Sequence, residues 1–115
     1  MSNSYCRSLQ ELLATSTIHI DRPRGQPHPR YQDLVYPLEY GFLEGTSSGD
    51  GDGIDLWIGS LNNQKLTGIL CTFDTVKRDA EIKLLSGCSS LNVQIILGFT
   101  DNLMRYLYIP NPEDN

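Results

Sequence analysis

The sequence predicts one mainly β domain of the α+β class, spanning residues 1–115. Most of its apolar segments are short, rich in β-branched or aromatic residues, and separated by glycine, proline, asparagine or aspartate, which is typical of strands and turns. Two segments, one near each end, carry helical signals instead. Hydrophobic residues make up 39% of the chain, which suffices for one modest core.

The two predicted helices depend on different signals. Ser8-Leu9-Gln10-Glu11 has the pattern of a capping box and predicts a short helix from Ser8 to about Thr15. Near the other end, the serines before Leu91 can cap a helix. Leu91, Ile95 and Phe99 follow at i, i+4 and i+8, although the β-branched residues between them leave a strand as the alternative.

The predicted strands lie between these helices, with a further one after the second helix. They are expected at residues 17–21, 34–36, 40–43, 55–58, 66–73 and 80–85, with a last strand within 101–109. Three prolines and a glycine interrupt residues 22–31, which predicts an extended loop. This loop is also the most basic part of the chain, through Arg22, Arg24, His28 and Arg30. Its arginines suit phosphate oxygens, or alternatively surface carboxylates.

Charge and composition exclude several classes of protein. The net charge of −5 argues against a protein that binds the nucleic-acid backbone. No run of 18 apolar residues and no signal-peptide pattern is found, so we expect no membrane partner. The three cysteines are widely spaced without a Cys-x-x-Cys pair, which predicts reduced thiols that fill space in a cytoplasmic protein.

An acidic, glycine-rich stretch predicts a metal site. Asp50, Asp52 and Asp55 lie within six residues and alternate mostly with glycine. Carboxylates this close repel one another unless a cation lies between them, and hard oxygen ligands suit Mg²⁺, Mn²⁺ or Ca²⁺. A solvated acidic turn is the alternative. A calcium EF-hand loop is excluded because Ile54, Asp55 and Leu61 occupy positions where it requires other residues. A calcium nonapeptide site needs stacked repeats, and one copy is present here.

The same stretch, together with the residues before it, resembles the family I soluble inorganic pyrophosphatases. Asp50-Gly51-Asp52-Gly53-Ile54-Asp55 is similar to the family's Asp-x-Asp-Pro-x-Asp signature, with Gly53 in place of proline. Upstream, Tyr36-Pro37-x-x-Tyr40-Gly41 is similar to the family's Tyr-Pro-x-Asn-Tyr-Gly segment, at the same spacing from the aspartates. The resemblance extends with gaps from about Ile18 to Phe99.

This resemblance implies a fold and an activity. The expected fold is a small, closed, five-stranded OB-like β-barrel with a short N-terminal helix and a C-terminal helix. The expected activity is hydrolysis of pyrophosphate to two phosphates by a water that two Mg²⁺ ions activate, with Mn²⁺ as an alternative. The expected partners are pyrophosphate as substrate and further copies of the chain in a homo-oligomer.

The resemblance also implies roles for individual residues. Asp50, Asp55 and Glu81 are expected to bind the metal, with Asp79 as the alternative to Glu81. Asp52 is expected to act as general base, and Tyr36 to pack beside the site. Lys83, Tyr40 and Arg30 are expected to hold phosphate oxygens. Asp21 corresponds to the family's first acidic position.

Other parts of the family's phosphate site have no counterpart in this chain. Most of the family's long hairpin is missing from residues 22–31, and the expected lysine of the C-terminal helix is absent from Phe99-Thr100-Asp101-Asn102. Two alternatives therefore stay open. One is a metal- and phosphate-binding protein with little or no turnover, and the other is a hydrolase of a different small phosphate compound.

Overall fold

The computed structural model describes residues 4–49 and 51–114, which form two helices and six strands. In chain order these are α1 (Ser4–Thr15), β1 (Ile18–Arg22), β2 (Glu39–Leu43), β3 (Asp55–Ile58), β4 (Leu66–Asp74), β5 (Asp79–Ser86), α2 (Ser90–Asp101) and β6 (Arg105–Pro110). The predicted α+β class with a helix near each end is confirmed. Among the described residues, no helix is long and apolar enough to cross a membrane.

The six strands form one mixed sheet in the order β1-β2-β3-β5-β4-β6. Neighbouring strands are antiparallel except β3 and β5, which run parallel and pair Asp55 with Lys83. The sheet differs from the expected barrel in two respects: it has six strands rather than five, and β1 and β6 lie at opposite edges. Within the described residues no pairing joins those two edges, so closure into a barrel is not confirmed.

Each helix covers one face of this sheet, because strand side chains alternate between faces. Leu56, Ile69 and Leu84 pack on the α1 side with Cys6 and Leu13. Their chain neighbours Trp57, Leu70 and Leu85 pack on the α2 side with Ile96. Both faces of the central strands are therefore buried, which explains their nearly continuous apolar sequences.

The N-terminal helix begins earlier than predicted. Ser8 is not its N-cap, since α1 already includes Ser4. Cys6 and Leu13, seven residues apart, are both buried on the same helical face. Packing against the sheet thus extends the helix past the local capping signal.

The cap predicted before α2 is confirmed. The Ser89 hydroxyl oxygen accepts a hydrogen bond from the backbone N–H of Asn92, and the side-chain oxygen of Asn92 accepts one from the backbone N–H of Ser89.

The basic loop folds back on itself instead of forming the predicted strand at 34–36. Val35 makes an isolated bridge to Pro27, and Gly25 N–H donates to the Tyr36 carbonyl at 2.8 Å. His28 N–H likewise donates to the Leu34 carbonyl at 2.7 Å. The prolines lack amide hydrogens and prevent a continuous ladder, so the segment is a short, interrupted hairpin.

Gly41 allows β1 and β2 to approach closely, which gives a physical reason for glycine after Tyr40. A Cβ at this position would collide with the His19 carbonyl oxygen and would lie 2.8 Å from the His19 carbonyl carbon. These atoms belong to the backbone of the paired strand and cannot rotate away.

We expect Gly41→Ala to lower the free energy of unfolding by about 3 kcal/mol, because the added methyl group forces the two strands apart. Gly98→Ala is the matched control, since nothing lies within 4 Å of its Cβ position in α2. Alanine is the better helix former, so the control should raise the free energy of unfolding by about 0.5–1 kcal/mol. Urea titrations of both variants measure these changes. Equal effects of the two substitutions would contradict the close-approach explanation.

Candidate functional site

An open cleft of about 670 Å³ lies on the α2 side of the sheet, beside β1, β2 and the loop that enters β3. It is lined by Asp21, Arg22, Tyr36, Tyr40, Phe42, Gly51, Asp52, Gly53 and Asp55. The two segments that carry the family resemblance therefore meet at one place. They do so because β2 and β3 are antiparallel neighbours and Phe42 pairs with Asp55.

A hydrogen-bonded cluster of three side chains lies beside this cleft: Tyr40 and Asp55 line it, and Lys83, which is not among its described lining residues, contacts both of them. The Tyr40 hydroxyl donates to Asp55 Oδ2 at 2.7 Å, and Lys83 Nζ donates to the Tyr40 oxygen at 2.6 Å. Lys83 Nζ also lies 3.4 Å from Asp55 Oδ2. Each residue comes from a different strand, and all three point to the α2 side. The cluster thus depends on the sheet register, which brings together residues up to 43 positions apart.

Glu81 extends the cluster along β5. It precedes Lys83 by two residues and shares its face of the strand, and its Oε2 lies 3.9 Å from Lys83 Nζ. The side chain of Lys83 is 12% exposed, compared with 29% for Asp55 and 21% for Glu81. A largely buried ammonium therefore stands between two carboxylates, which keeps their mutual repulsion small.

Tyr40 is held as a neutral phenol. Burial raises its pKa well above the ordinary value of 10, and the neighbouring Asp55 carboxylate raises it further. The hydroxyl therefore keeps its proton at neutral pH and acts as a hydrogen-bond donor. Lys83 supplies the positive charge on its other side, and the Lys83 ammonium also lies 5.2 Å from the centre of the Tyr40 ring.

Aromatic rings close the side of the cleft towards α2. Tyr40 packs edge-on against Trp57 with ring centres 4.9 Å apart, and Trp57 packs in the same way on Phe99 at 5.4 Å. Tyr36 contacts Tyr40, Trp57 and Phe99, as expected of a packing residue, and it also lines the cleft. Charges beside such an apolar wall interact more strongly than they do in bulk water.

The remaining predicted residues differ in where they lie. Asp52 lines the same cleft as Asp55, whereas Asp50 lies outside the described residues. Arg30 is exposed in the basic loop and is not among the described residues that line the cleft. Asp79, the alternative to Glu81, is exposed at the start of β5, next to the turn that joins β4 and β5. The predicted roles of these residues stay predictions.

Arg22 is the charged residue of the cleft to which the sequence assigned no individual role. Its Nη1 donates to the Asp21 carbonyl at 3.0 Å and lies 4.0 Å from the Asp21 carboxylate. Its buried Nε has no hydrogen-bond partner among the described residues. A register shift between Ile20 and Arg22 in the β1–β2 pairing places Arg22 opposite Tyr40. The sequence could not identify Arg22 as the cleft residue, because four basic residues share that loop and their spacing does not show which of them faces the site.

The oxygen donors near the cleft suit a divalent cation in type. Asp52, Asp55 and Glu81 are carboxylates, which Mg²⁺ and Mn²⁺ prefer. Within residues 4–49 and 51–114, no group of three or more acidic, histidine or cysteine side chains is arranged to hold a metal. Asp50, which the predicted ligand set requires, lies outside those ranges. The donor chemistry therefore fits, and the ligand set rests on Asp50 joining Asp55 and Glu81.

The cysteines take no part in this site. Cys6 and Cys88 are buried, and burial raises the pKa of the Cys88 thiol to about 12. A thiol with so high a pKa is a poor nucleophile at neutral pH, because the thiolate is the reactive form.

Comparison with known proteins adds no assignment: no protein-family model matches the chain, and no curated protein matches it. Its function must therefore be argued from the cleft.

Proposed function

We propose that the protein binds pyrophosphate together with Mg²⁺ in this cleft and hydrolyses it to two phosphates. The observation that carries the proposal is the Lys83–Tyr40–Asp55 cluster, with contacts of 2.6 and 2.7 Å, beside a cleft that also contains Asp52. A cation, a neutral hydroxyl donor and several carboxylates on or beside one concave surface are the groups that a metal-bound phosphoanhydride requires.

The residues divide between two tasks. Lys83 and Tyr40 would donate hydrogen bonds to phosphoryl oxygens, Tyr40 by exchanging its present acceptor, Asp55, for the phosphate. Arg22 would add a guanidinium at the β1 side of the cleft. Asp50, Asp55 and Glu81 would hold Mg²⁺, which when bound lowers the pKa of a coordinated water and offsets the phosphate charge. Asp52 would take a proton from the attacking water as general base.

The experiment is a phosphate-release assay with pyrophosphate and a panel of small phosphate esters, each with Mg²⁺, Mn²⁺ or excess chelator. We expect release from pyrophosphate that requires the divalent ion and stops when chelator is added. Turnover that persists undiminished in chelator would rule out the metal-dependent mechanism. Release from an ester but not from pyrophosphate would favour the hydrolase of another small phosphate compound.

A binding protein with little turnover is the second candidate, and two observations favour it. Arg30 does not line the cleft, and Phe99 at the end of α2 packs on Trp57, in the segment where the family resemblance leads one to expect a lysine. Each missing cationic donor can cost roughly 10²–10³ in rate. Binding of pyrophosphate with Mg²⁺ in calorimetry, without phosphate release, would establish this alternative.

A matched pair of arginine substitutions tests which cation serves the cleft. We expect Arg22→Ala to weaken pyrophosphate binding about tenfold or more, because it removes a guanidinium from the cleft wall. Arg30→Ala removes the same group from an exposed loop position and should have little effect. Calorimetry at constant Mg²⁺ concentration measures both. A larger loss of pyrophosphate affinity for Arg30→Ala than for Arg22→Ala would contradict this assignment and show that Arg30 binds the phosphate.

A further inference from the structure

A second pocket, of about 370 Å³, lies on the face of the sheet opposite the cleft. Ile18 and Ile58, which line it, pack on the α1 side, whereas Tyr40 beside the cleft packs on the α2 side. The loop of residues 59–64 forms one wall of this pocket. The pocket and the cleft share no lining residue, so the pocket is a separate site.

Three lining residues of different character form a row across the sheet in this pocket. Glu39 of β2 pairs with Ile58 of β3, and Ile58 pairs with Ser86 of β5. Residues paired in this way share one face of the sheet, and neighbouring strands lie about 4.8 Å apart, so the backbones of Glu39 and Ser86 are separated by roughly 10 Å. A carboxylate therefore lies at one end of the row, a hydroxyl at the other, and an aliphatic side chain between them.

Neither polar end of this row has a partner in the part of the chain that the structure describes. Ser86 is 1% exposed, and its buried Oγ makes no hydrogen bond there. The half-buried Glu39 side chain makes no hydrogen bond or ion pair there either, and none of the described lining residues is a lysine, arginine or histidine. A buried polar group without a partner is uncommon in a folded protein and indicates that water or a ligand completes its hydrogen bonds.

The wall formed by residues 59–64 is held in place by the rest of the chain. The Ser60 N–H and the Ser60 hydroxyl both donate to Asn92 Oδ1 at 2.9 Å. Gln64 Nε2 donates to the Leu13 carbonyl of α1 at 3.1 Å. A preformed pocket binds its ligand without the cost of ordering a loop, and a concave site that combines apolar residues with a few polar groups is typical of small-molecule binding.

We propose that this pocket binds a small aliphatic ammonium compound that carries a hydroxyl group at its other end, which is the chemistry of an amino alcohol. The ammonium would pair with the Glu39 carboxylate, the aliphatic part would lie on Ile58, and the hydroxyl would exchange a hydrogen bond with Ser86 Oγ. The net charge of −5 and the Glu39 carboxylate favour a cationic ligand over an anionic one. The proposal is independent of the hydrolysis proposed above.

An NMR titration of the ¹⁵N-labelled full chain with 4-aminobutan-1-ol tests the proposal. Butylamine is the matched compound without the hydroxyl, and butane-1,4-diol is the matched compound without the ammonium. We expect saturable shifts of the backbone amides of residues 59–64, with a dissociation constant of about 1–10 mM for the amino alcohol. Each matched compound should bind about fivefold more weakly or worse, the loss expected for one hydrogen bond.

Two substitutions separate the two ends of the ligand. Glu39→Gln should weaken the binding of the amino alcohol and of butylamine about fivefold or more, because both lose the ion pair. Ser86→Ala should weaken the binding of the amino alcohol alone, to the affinity of butylamine. Glu11→Gln, at an exposed position of α1 outside the pocket, is the control and should change neither affinity. Circular dichroism verifies that the variants are folded.

Several results would overturn the proposal. The absence of saturable shifts up to roughly 50 mM amino alcohol would show that the pocket holds only water. Shifts confined to the residues of the cleft would place the binding elsewhere. Equal affinity for butane-1,4-diol and the amino alcohol would exclude the ion pair, as would a Glu39→Gln variant that keeps the affinity of the parent. A Ser86→Ala variant that binds the amino alcohol as the parent does would exclude the contact with Ser86.

Discussion

Replacing Lys83 with methionine is expected to reduce kcat/KM for pyrophosphate by roughly 10²–10³, the loss typical of one preorganised donor. Methionine keeps an unbranched side chain of similar length and removes the ammonium. That ammonium lies 2.6 Å from the Tyr40 oxygen, 3.4 Å from Asp55 and 3.9 Å from Glu81. Its removal takes away the proposed phosphate-binding cation and also leaves two carboxylates facing each other without a positive charge between them.

A second measurement separates these two effects. Without Lys83 the carboxylates should bind Mg²⁺ at least as tightly as before, because the competing positive charge has gone. Pyrophosphate binding at saturating Mg²⁺ should nevertheless weaken. Lys65→Met is the control, since Lys65 is exposed and outside the cleft. If Lys83→Met binds and hydrolyses pyrophosphate as the parent does, the role assigned to the cluster is wrong.

Replacing Asp52 with asparagine is expected to lower kcat by about 10²–10⁴ while leaving the affinity for Mg²⁺ nearly unchanged, as for loss of a general base. Asparagine has almost the same size and cannot take up the proton. Asp52 lies on the glycine-rich loop that lines the cleft, and it reaches the site without belonging to a strand.

Asp55→Asn should have the opposite profile, with a marked loss of Mg²⁺ affinity. It removes the charge of a proposed ligand that also accepts a 2.7 Å hydrogen bond from Tyr40. Asp33→Asn, at an exposed position outside the cleft, is the control for the general effect of removing a carboxylate. Calorimetry with Mg²⁺ and steady-state kinetics distinguish the profiles. Equal loss of metal binding in Asp52→Asn and Asp55→Asn would refute this division of roles.

Local patterns in the sequence were sufficient for most of the secondary structure. The predicted strands at 17–21, 40–43, 55–58, 66–73 and 80–85 all appear within two residues of their expected bounds, and α2 follows its Ser89 cap. Alternation, turn residues and caps are properties of neighbouring residues, so they can be read from one chain. Tyr40 and Asp55 are a different case, because the resemblance of their motifs to the pyrophosphatase family, and not local periodicity, implied a shared site; the Tyr40 hydroxyl contacts the Asp55 carboxylate.

The tertiary structure decided what depends on residues far apart in the chain. Cys6 and Leu13 pack on the sheet and extend α1 beyond the Ser8 signal. The parallel pairing of β3 with β5 sets Lys83 beside Asp55, and the β1 register shift selects Arg22 from the four basic residues of its loop. Strand order likewise follows from pairing energies between distant segments. The sequence alone therefore determined which residue types could form a site, while non-local packing determined which of them meet.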